Sequence, residues 1–453
     1  IDHGANLTLL ITNETFRIYP IRPNKVIPST TPPEGITGHL IYVEDGALTK
    51  FDGQEVNGSI VLMDWYGEEN FLTAAKLGAK AVIFISPGQI LPGRPQPEVG
   101  QCVEIPLQFP RFYIQNAEPL LKHLNEDVRI VANTRWENFT GKNVVGFIKG
   151  ETDPDIIVLL TSYYDSGRVV PSLAPGAQEA TGVSSLLEIA RCLSLKRPRY
   201  TVMFVAFSGH HQSIEGSIWF SSDYLQRQDP SVRSIGEKIW FWFNLDFSTG
   251  SDKLALMFFS PVFVSDEGDG ASYGVASDLL MPVVKYYREA LGEINKQMPG
   301  GRTYNVNMPP TFLGIDFADW TLNVSSYGNF LLDNAPSTAL TDSSTPTNGI
   351  YGYSFMTIYD PRPYYGTPFD TLDKIGKEGW ANLQTQLETS FMLIRSFLSM
   401  DRTNFENRFK QIMSKPTAPY KDISWAEVVG KVGEWNVETN WYKPVPNAIV
   451  RIE

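Results

Sequence analysis

Two uninterrupted apolar runs dominate the middle of the chain. Residues 156–164 (IIVLLTSYY) close at Asp165-Ser166-Gly167, and residues 201–207 (TVMFVAF) close at Ser208-Gly209-His210-His211. Neither alternates polar with apolar positions, which is the pattern of strands buried on both faces. Between them the turn 174–182 (APGAQEATG) opens a segment with helical apolar spacing, 183–195, and a second helix-like segment starts at Ile214. Strands with helices between them predict an α/β fold with a parallel or mixed sheet covered by helices. In such sheets the chemistry sits beyond the carboxyl ends of the strands. Three segments reach that edge: Tyr163-Tyr164-Asp165, Gln178-Glu179 and His210-His211.

The pattern extends in both directions. A heavily aromatic run, 239–247 (IWFWFNLDF), reads as a further strand ending at Asp246. Beyond it come an amphipathic helix over 275–291, an irregular segment over 308–320 and a short strand over 330–332. A Ser/Thr/Pro/Asn-rich loop follows over 336–349. Residues 351–365 are crowded with Tyr and Pro and read as an aromatic rim, which either binds sugars or peptides or simply packs. A long helix over 375–400 carries Trp380, Leu383, Leu387, Phe391, Ile394 and Leu398 as one apolar stripe. Upstream, prolines between 21 and 36 mark an irregular entry. Short strands at 39–43 and 59–63, a helix over 71–77 stopped by Gly78, and a strand at 81–85 make a separate β-rich module. At the far end, 428–432 and 444–452 read as two strands. The implied divisions are 1–34, 35–135, 136–400, a connecting segment 401–426, and the start of a β-sandwich at 427–453. Two strands are marginal by themselves, so the reading is that the natural chain continues past Glu453, with a partner supplying strands as the alternative.

Composition narrows the classes. The 453 residues can bury large cores at 42% hydrophobic and 12% aromatic content. A net charge of −12 argues against nucleic acid and anionic membrane surfaces as partners. No run long enough to span a bilayer is present in this stretch, so any membrane anchor would lie outside it. Ile1 in place of an initiator Met reads as a processed or trimmed chain. Of the two cysteines, Cys102 and Cys192, the second lies among Leu186, Leu187, Ala190 and Leu193 and reads as a small core residue. Sequons at Asn6, Asn13, Asn57, Asn138 and Asn323 favour an exported glycoprotein, extracellular or at the cell surface. His39 and His123 stand alone, as surface or packing residues. The acidic loop 265–270 (SDEGDG) lacks the spacing of an EF-hand and reads as a solvated turn.

The strand ends carry a resemblance. Pro175-Gly176-Ala177, 204–209 (FVAFSG), Asn244-Leu245-Asp246 and 367–373 (TPFDTLD) resemble, in order and spacing, the motifs of the zinc-dependent M28 aminopeptidase family. Nicastrin and the transferrin receptor also belong to that family. Residues 35–135 likewise resemble a protease-associated (PA) domain, a frequent companion of M28 peptidases that serves as a lid or protein-contact surface. The tail resembles a carboxypeptidase-regulatory-like β-sandwich. By the resemblance, Tyr163 stands where the family has its first zinc histidine, Glu179 near its bridging Asp, and His210-His211 at its Glu-Glu pair. Gly366 falls near the late histidine; Asp165 and Asp246 match the family. A catalytic zinc needs about three protein ligands and an open position for water, and the water needs a carboxylate base within reach. The reading is therefore a peptidase fold without its dinuclear site, with no catalytic residues and no cofactor. It would act as a binding or assembly module for a protein or peptide partner, or in self-association. Two alternatives stand: an aminopeptidase with a variant single-zinc site from Glu179, His210, His211 and Asp246, and a structural subunit of a surface layer or filament. Asp246 is then either a metal carboxylate or an ordinary strand-end aspartate bonded to backbone.

Overall fold

The computed structural model describes residues 1–24, 27–86, 107–167, 169–212, 215–225, 229–257, 351–357 and 364–405, with residues 296, 306–307, 362, 407, 433–436 and 441–444. Two sheets carry the fold. The first joins eight strands: β1 (Asp2–Leu9), β2 (Thr15–Arg17), β3 (Tyr19–Pro20), β4 (Ile36–Tyr42), β5 (Ile60–Asp64), β6 (Ala81–Ile85), β7 (Arg111–Ile114) and β8 (Asp127–Thr134). Their order is β2-β1-β8-β4-β5-β6-β7-β3, with β4 to β7 parallel and the flanking strands antiparallel. Residues before Gly35 supply three of these strands, so the division at residue 34 marks no break in the sheet. Alternation along β5 and β6 fills two cores. Val61, Met63, Val82 and Phe84 face one, and Ile60, Leu62, Ala81 and Ile83 the other. A short helix, α1 (Phe71–Lys76), covers the first core through Phe71 and Ala74.

The second sheet has seven strands: β9 (Val144–Ile148), β10 (Asp153–Tyr163), β11 (Tyr200–Phe207), β12 (Ile239–Asp246), β13 (Leu254–Met257), β14 (Val306–Asn307) and β15 (Tyr351–Thr357). Its order is β14-β13-β15-β12-β10-β11-β9. β10 lies between β11 and β12 and runs parallel to both, β9 runs antiparallel to β11, and β13 runs antiparallel to β15 but parallel to β14. The sheet is mixed α/β, as the apolar runs require. Val158 and Leu160 point to a core shared with α2 (Ala180–Leu195), through Leu186, Ile189 and Leu193. Ile157, Leu159 and Tyr163 point to the opposite face, with Met203, Val205, Phe207 and Trp242. There α3 (Glu215–Phe220) adds Phe220, and α4 (Arg233–Gly236) adds Ile235. The long helix α5 (Lys377–Ser399) covers the first face with Leu383, Leu393, Ile394, Phe397 and Leu398. Phe397 stacks into the aromatic strand, 4.4 Å from the Phe241 ring and 5.0 Å from Trp240.

Several expectations change. Residues 351–357, read as an aromatic rim, form β15, because parallel pairing to β12 and antiparallel pairing to β13 satisfy its backbone on both sides. Helix α2 starts at Ala180, three residues before the apolar periodicity begins. Thr181 donates to the Gln178 carbonyl at 2.6 Å, and Gly182 packs so tightly on β12 that a Cβ would lie 2.8 Å from the Leu245 carbonyl oxygen. Trp380 is 47% exposed and drops out of the α5 stripe, and Leu187 is exposed on α2. Cys192 is half-buried and interacts with Glu188 rather than sitting in the core. Burial and that neighbour push its thiol pKa up. The tail hairpin is β16 (Gly433–Asn436) with β17 (Trp441–Pro444), placed between the two segments read as strands. The loops, helix and strand read over 265–349, together with Cys102, Asn323, 428–432 and 445–453, lie outside the described residues. His39 meets the Glu55 carbonyl at 2.5 Å and His123 meets Glu126 at 3.0 Å. Among the described residues no helix is long and apolar enough to cross a membrane.

Leu160 is fully buried in the central strand. Leu160→Ala is expected to cost about 2–5 kcal/mol by lost burial plus cavity formation, read as a lowered midpoint in chemical denaturation.

Candidate functional site

Three neighbouring parallel strands deliver their carboxyl ends to one edge: β10 ends at Tyr163, β11 at Phe207 and β12 at Asp246. Most side chains on both faces of these strands are apolar, and the polar ones inside, Thr161, Ser162 and Asn244, bond within the sheet, so the charged groups gather where the chain leaves it. Asp165, two residues past β10, accepts the backbone N–H of His210 at 3.1 Å and of His211 at 3.4 Å. This carboxylate fixes the turn after β11. The turn in turn presses the His210 ring flat against the Tyr163 ring, with centroids 3.5 Å apart and planes 20° from parallel. His211 stands edge-on to both, at 4.6 Å from His210 and 6.0 Å from Tyr163.

Glu179 closes the group from the other side. It is the residue before α2, and its side chain is 1% exposed. Oε1 lies 3.0 Å from Nε2 of His211, itself 17% exposed. A carboxylate removed from water needs a cation or donors nearby, and the His211 imidazole faces it at ion-pair distance. The imidazole has room because Gly167 passes directly over it: a Cβ there would lie 2.3 Å from Cγ of His211.

A second buried polar knot holds the start of α2, and sequence reasoning gave it no role. The side-chain amide of Gln178 donates to Oγ1 of Thr249 at 2.6 Å, and its oxygen accepts the Thr249 backbone N–H at 2.9 Å. The Gln178 backbone N–H points at the carboxylate of Asp370, 3.3 and 3.2 Å from its two oxygens, and the Asp370 carbonyl accepts the N–H of Ala177 at 3.0 Å. One amide thus ties together the end of β12, the start of α2 and the turn 367–371. The only signal for it in the sequence is a Gln beside a Glu in a turn.

That turn also joins the two sheets. Phe369 sets its ring 5.6 Å from Trp65 and 6.1 Å from Tyr113, both core residues of the N-terminal sheet. Val169 donates to the Gly366 carbonyl at 3.1 Å and accepts the N–H of Arg22 at 2.7 Å. Tyr365 is buried beneath the Arg362 guanidinium, 4.4 Å from the ring centroid.

Of the residues singled out from sequence, Tyr163, Asp165, Glu179, His210 and His211 meet directly. Asp246 is buried at the end of the adjacent strand, and Gly366 joins the site through Val169. Among the described residues, no three His, Cys, Asp or Glu side chains come together as a group able to hold a metal ion. Asn6, Asn13, Asn57 and Asn138 are all exposed.

Residues 143–302 match the model for Peptidase family M28. This segment, about a third of the chain, is similar to an M28 peptidase domain. A probable zinc metalloprotease of Pyricularia oryzae is 38% identical over 88 residues, which are 18% of this chain and 17% of that protein. The matches to this and other curated fungal relatives span 17% to 19% of those proteins' length. Among solved structures, the gamma-secretase component nicastrin aligns at TM-score 0.50 with 14% identity, over 91% of this chain and 78% of its own. The zinc aminopeptidase BSAP from Bacillus subtilis aligns at TM-score 0.48 and 18% identity, over 88% of this chain and 83% of its own. The mixed α/β fold is shared with nicastrin.

Removing the imidazole takes away the basic group 3.0 Å from a buried carboxylate. His211→Ala is expected to destabilise the chain by about 3–5 kcal/mol. Adding Glu179→Gln to it should restore part of that loss, and a denaturation double-mutant cycle measures the coupling.

Proposed function

We propose that this M28-fold protein is a non-catalytic binding or assembly module that works outside the cell or at its surface, through contact with a protein or peptide. The observation that carries the reading is the His211–Glu179 pair beside the stacked Tyr163 and His210. By the family resemblance these positions are those of the dinuclear zinc site. A phenol is not an ordinary zinc ligand. Glu179 faces His211, and the position of the family's general base is occupied by a histidine. The residues present do not fit a pair of zinc ions. The likeness to nicastrin, itself described as a component of gamma-secretase, supports an assembly role by analogy.

The same reading takes the N-terminal lobe as a PA-like contact domain and the exposed asparagines of the sequons as glycosylation sites, with a partner docking on one or both lobes. One specific observation favours a second reading. The fungal relatives are named probable zinc metalloproteases, and Glu179, His211 and Asp246 keep three potential donors near the strand ends. On that reading the chain is an aminopeptidase with a variant single-metal site.

An aminopeptidase assay on aminoacyl anilides, with and without added zinc, separates the two, alongside calorimetric titration of the chain with zinc. The expected result is no zinc-dependent turnover and no stoichiometric zinc binding. Zinc-dependent turnover abolished by Asp246→Asn would establish the second reading instead.

A further inference from the structure

The two sheets present four edges, and three are brief. β2 has three residues and β14 two, while β3 has two, one of them Pro20, which has no N–H to donate. The fourth edge is β9, whose five residues Val144-Val145-Gly146-Phe147-Ile148 include neither proline nor charge. It pairs with β11 along one side only, from Val144 opposite Ala206 to Ile148 opposite Val202. Val145 and Ile148 pack partly against the cores on opposite faces of the sheet. Val144 is 61% exposed and Phe147 51% exposed. Among the described residues, no backbone hydrogen bond from another segment reaches the outer side of β9. An apolar edge of this kind is a template for a further strand unless charge, proline or a bulge blunts it. Here the lysines stand just outside the strand, at Lys142 and Lys149.

We propose that a second copy of this chain covers that edge, with the two β9 strands pairing antiparallel across a two-fold axis at Gly146 and the two seven-stranded sheets becoming one. Such an interface is isologous, so the strand must complement itself. With the axis at Gly146, Val144 lies opposite Ile148, Val145 opposite Phe147, and Gly146 opposite its own copy. Every cross-strand pair is apolar, and β-branched and aromatic pairs of this kind stabilise antiparallel ladders. A Cβ built on Gly146 meets nothing within 4 Å in the single chain, so the sheet face at that position is open. The charges fit the same register. Lys149 lies opposite Asn143, and Lys142 comes to the Gly150-Glu151 corner, where it meets a carboxylate rather than another lysine. Moving the axis to Val145 sets Lys142 against Ile148, and moving it to Phe147 sets Lys149 against Val145. The sequence therefore favours one register. This inference stands whether or not the cleft turns over peptides.

Sedimentation of the 453-residue chain at micromolar concentration tests the proposal, with two sets of variants. Wild type is expected at twice the monomer mass. The double variant Val144→Lys/Phe147→Lys changes only exposed side chains and is expected to run as a folded monomer with an unchanged circular dichroism spectrum. In Gly146→Cys the two α-carbons across the axis would stand about 4.5–5.5 Å apart, within the reach of a disulfide. Mild oxidation should therefore give a covalent dimer, whereas Leu48→Cys, on the exposed surface of the other lobe, should not. A monomeric wild type overturns the proposal, as does a dimer that survives the double lysine variant. Cross-linking of Leu48→Cys but not Gly146→Cys does the same.

Discussion

The geometry of the cleft depends on the parallel pairing of β10 with β11 on one side and β12 on the other. That pairing buries both faces of all three strands, and the polar side chains Thr161, Ser162 and Asn244 within them are taken up by bonds inside the sheet. It also aligns their carboxyl ends, which brings Tyr163, the His210-His211 turn and Asp246 to one edge from positions far apart in the chain. Each backbone amide inside the sheet is satisfied by the ladder, whereas those just beyond it need side-chain acceptors. Asp165 answers two of them. Its retained role is thus explained by the turn alone, with no metal required.

Charge decides what the edge can hold. Two divalent cations need several anionic donors around them, and a lone buried carboxylate without a cation is costly. Histidine at 211, where the resemblance implies a carboxylate, puts a basic group rather than a second anion beside Glu179. The Tyr163–His210 stack lies against the same histidine.

How much of this could be read in advance varied with the range of the interaction. Continuous apolar runs need no knowledge of partners, and β6, β10, β11 and β12 begin and end within three residues of their expected positions. β15 mixes Tyr, Gly, Ser and Met, and only its neighbours make it a strand. β1 has the same character, its register set by residues 128–134 at the far end of the lobe. In the site, the residues that meet were legible from motif order. The Gln178–Thr249–Asp370 knot was not, because its partners lie 71 and 192 positions away from Gln178. The stacking of His210 on Tyr163 was hidden for the same reason, and an adjacent His-His pair alone does not say which ring turns inward.

The turn 366–371 serves the cleft and the N-terminal lobe at once. Asp370 anchors the start of α2, while Phe369, the residue before it, fills a space between Trp65 and Tyr113 in the other lobe. Val169 bonds to Gly366 on one side and to Arg22 on the other. A displacement of the N-terminal sheet relative to the central sheet would pull on a turn that also holds the residues beside Glu179. Aromatic contacts of this kind are worth about 0.5–1.5 kcal/mol each beyond their burial, and the two made by Phe369 add to the backbone bonds of Val169 in joining the lobes.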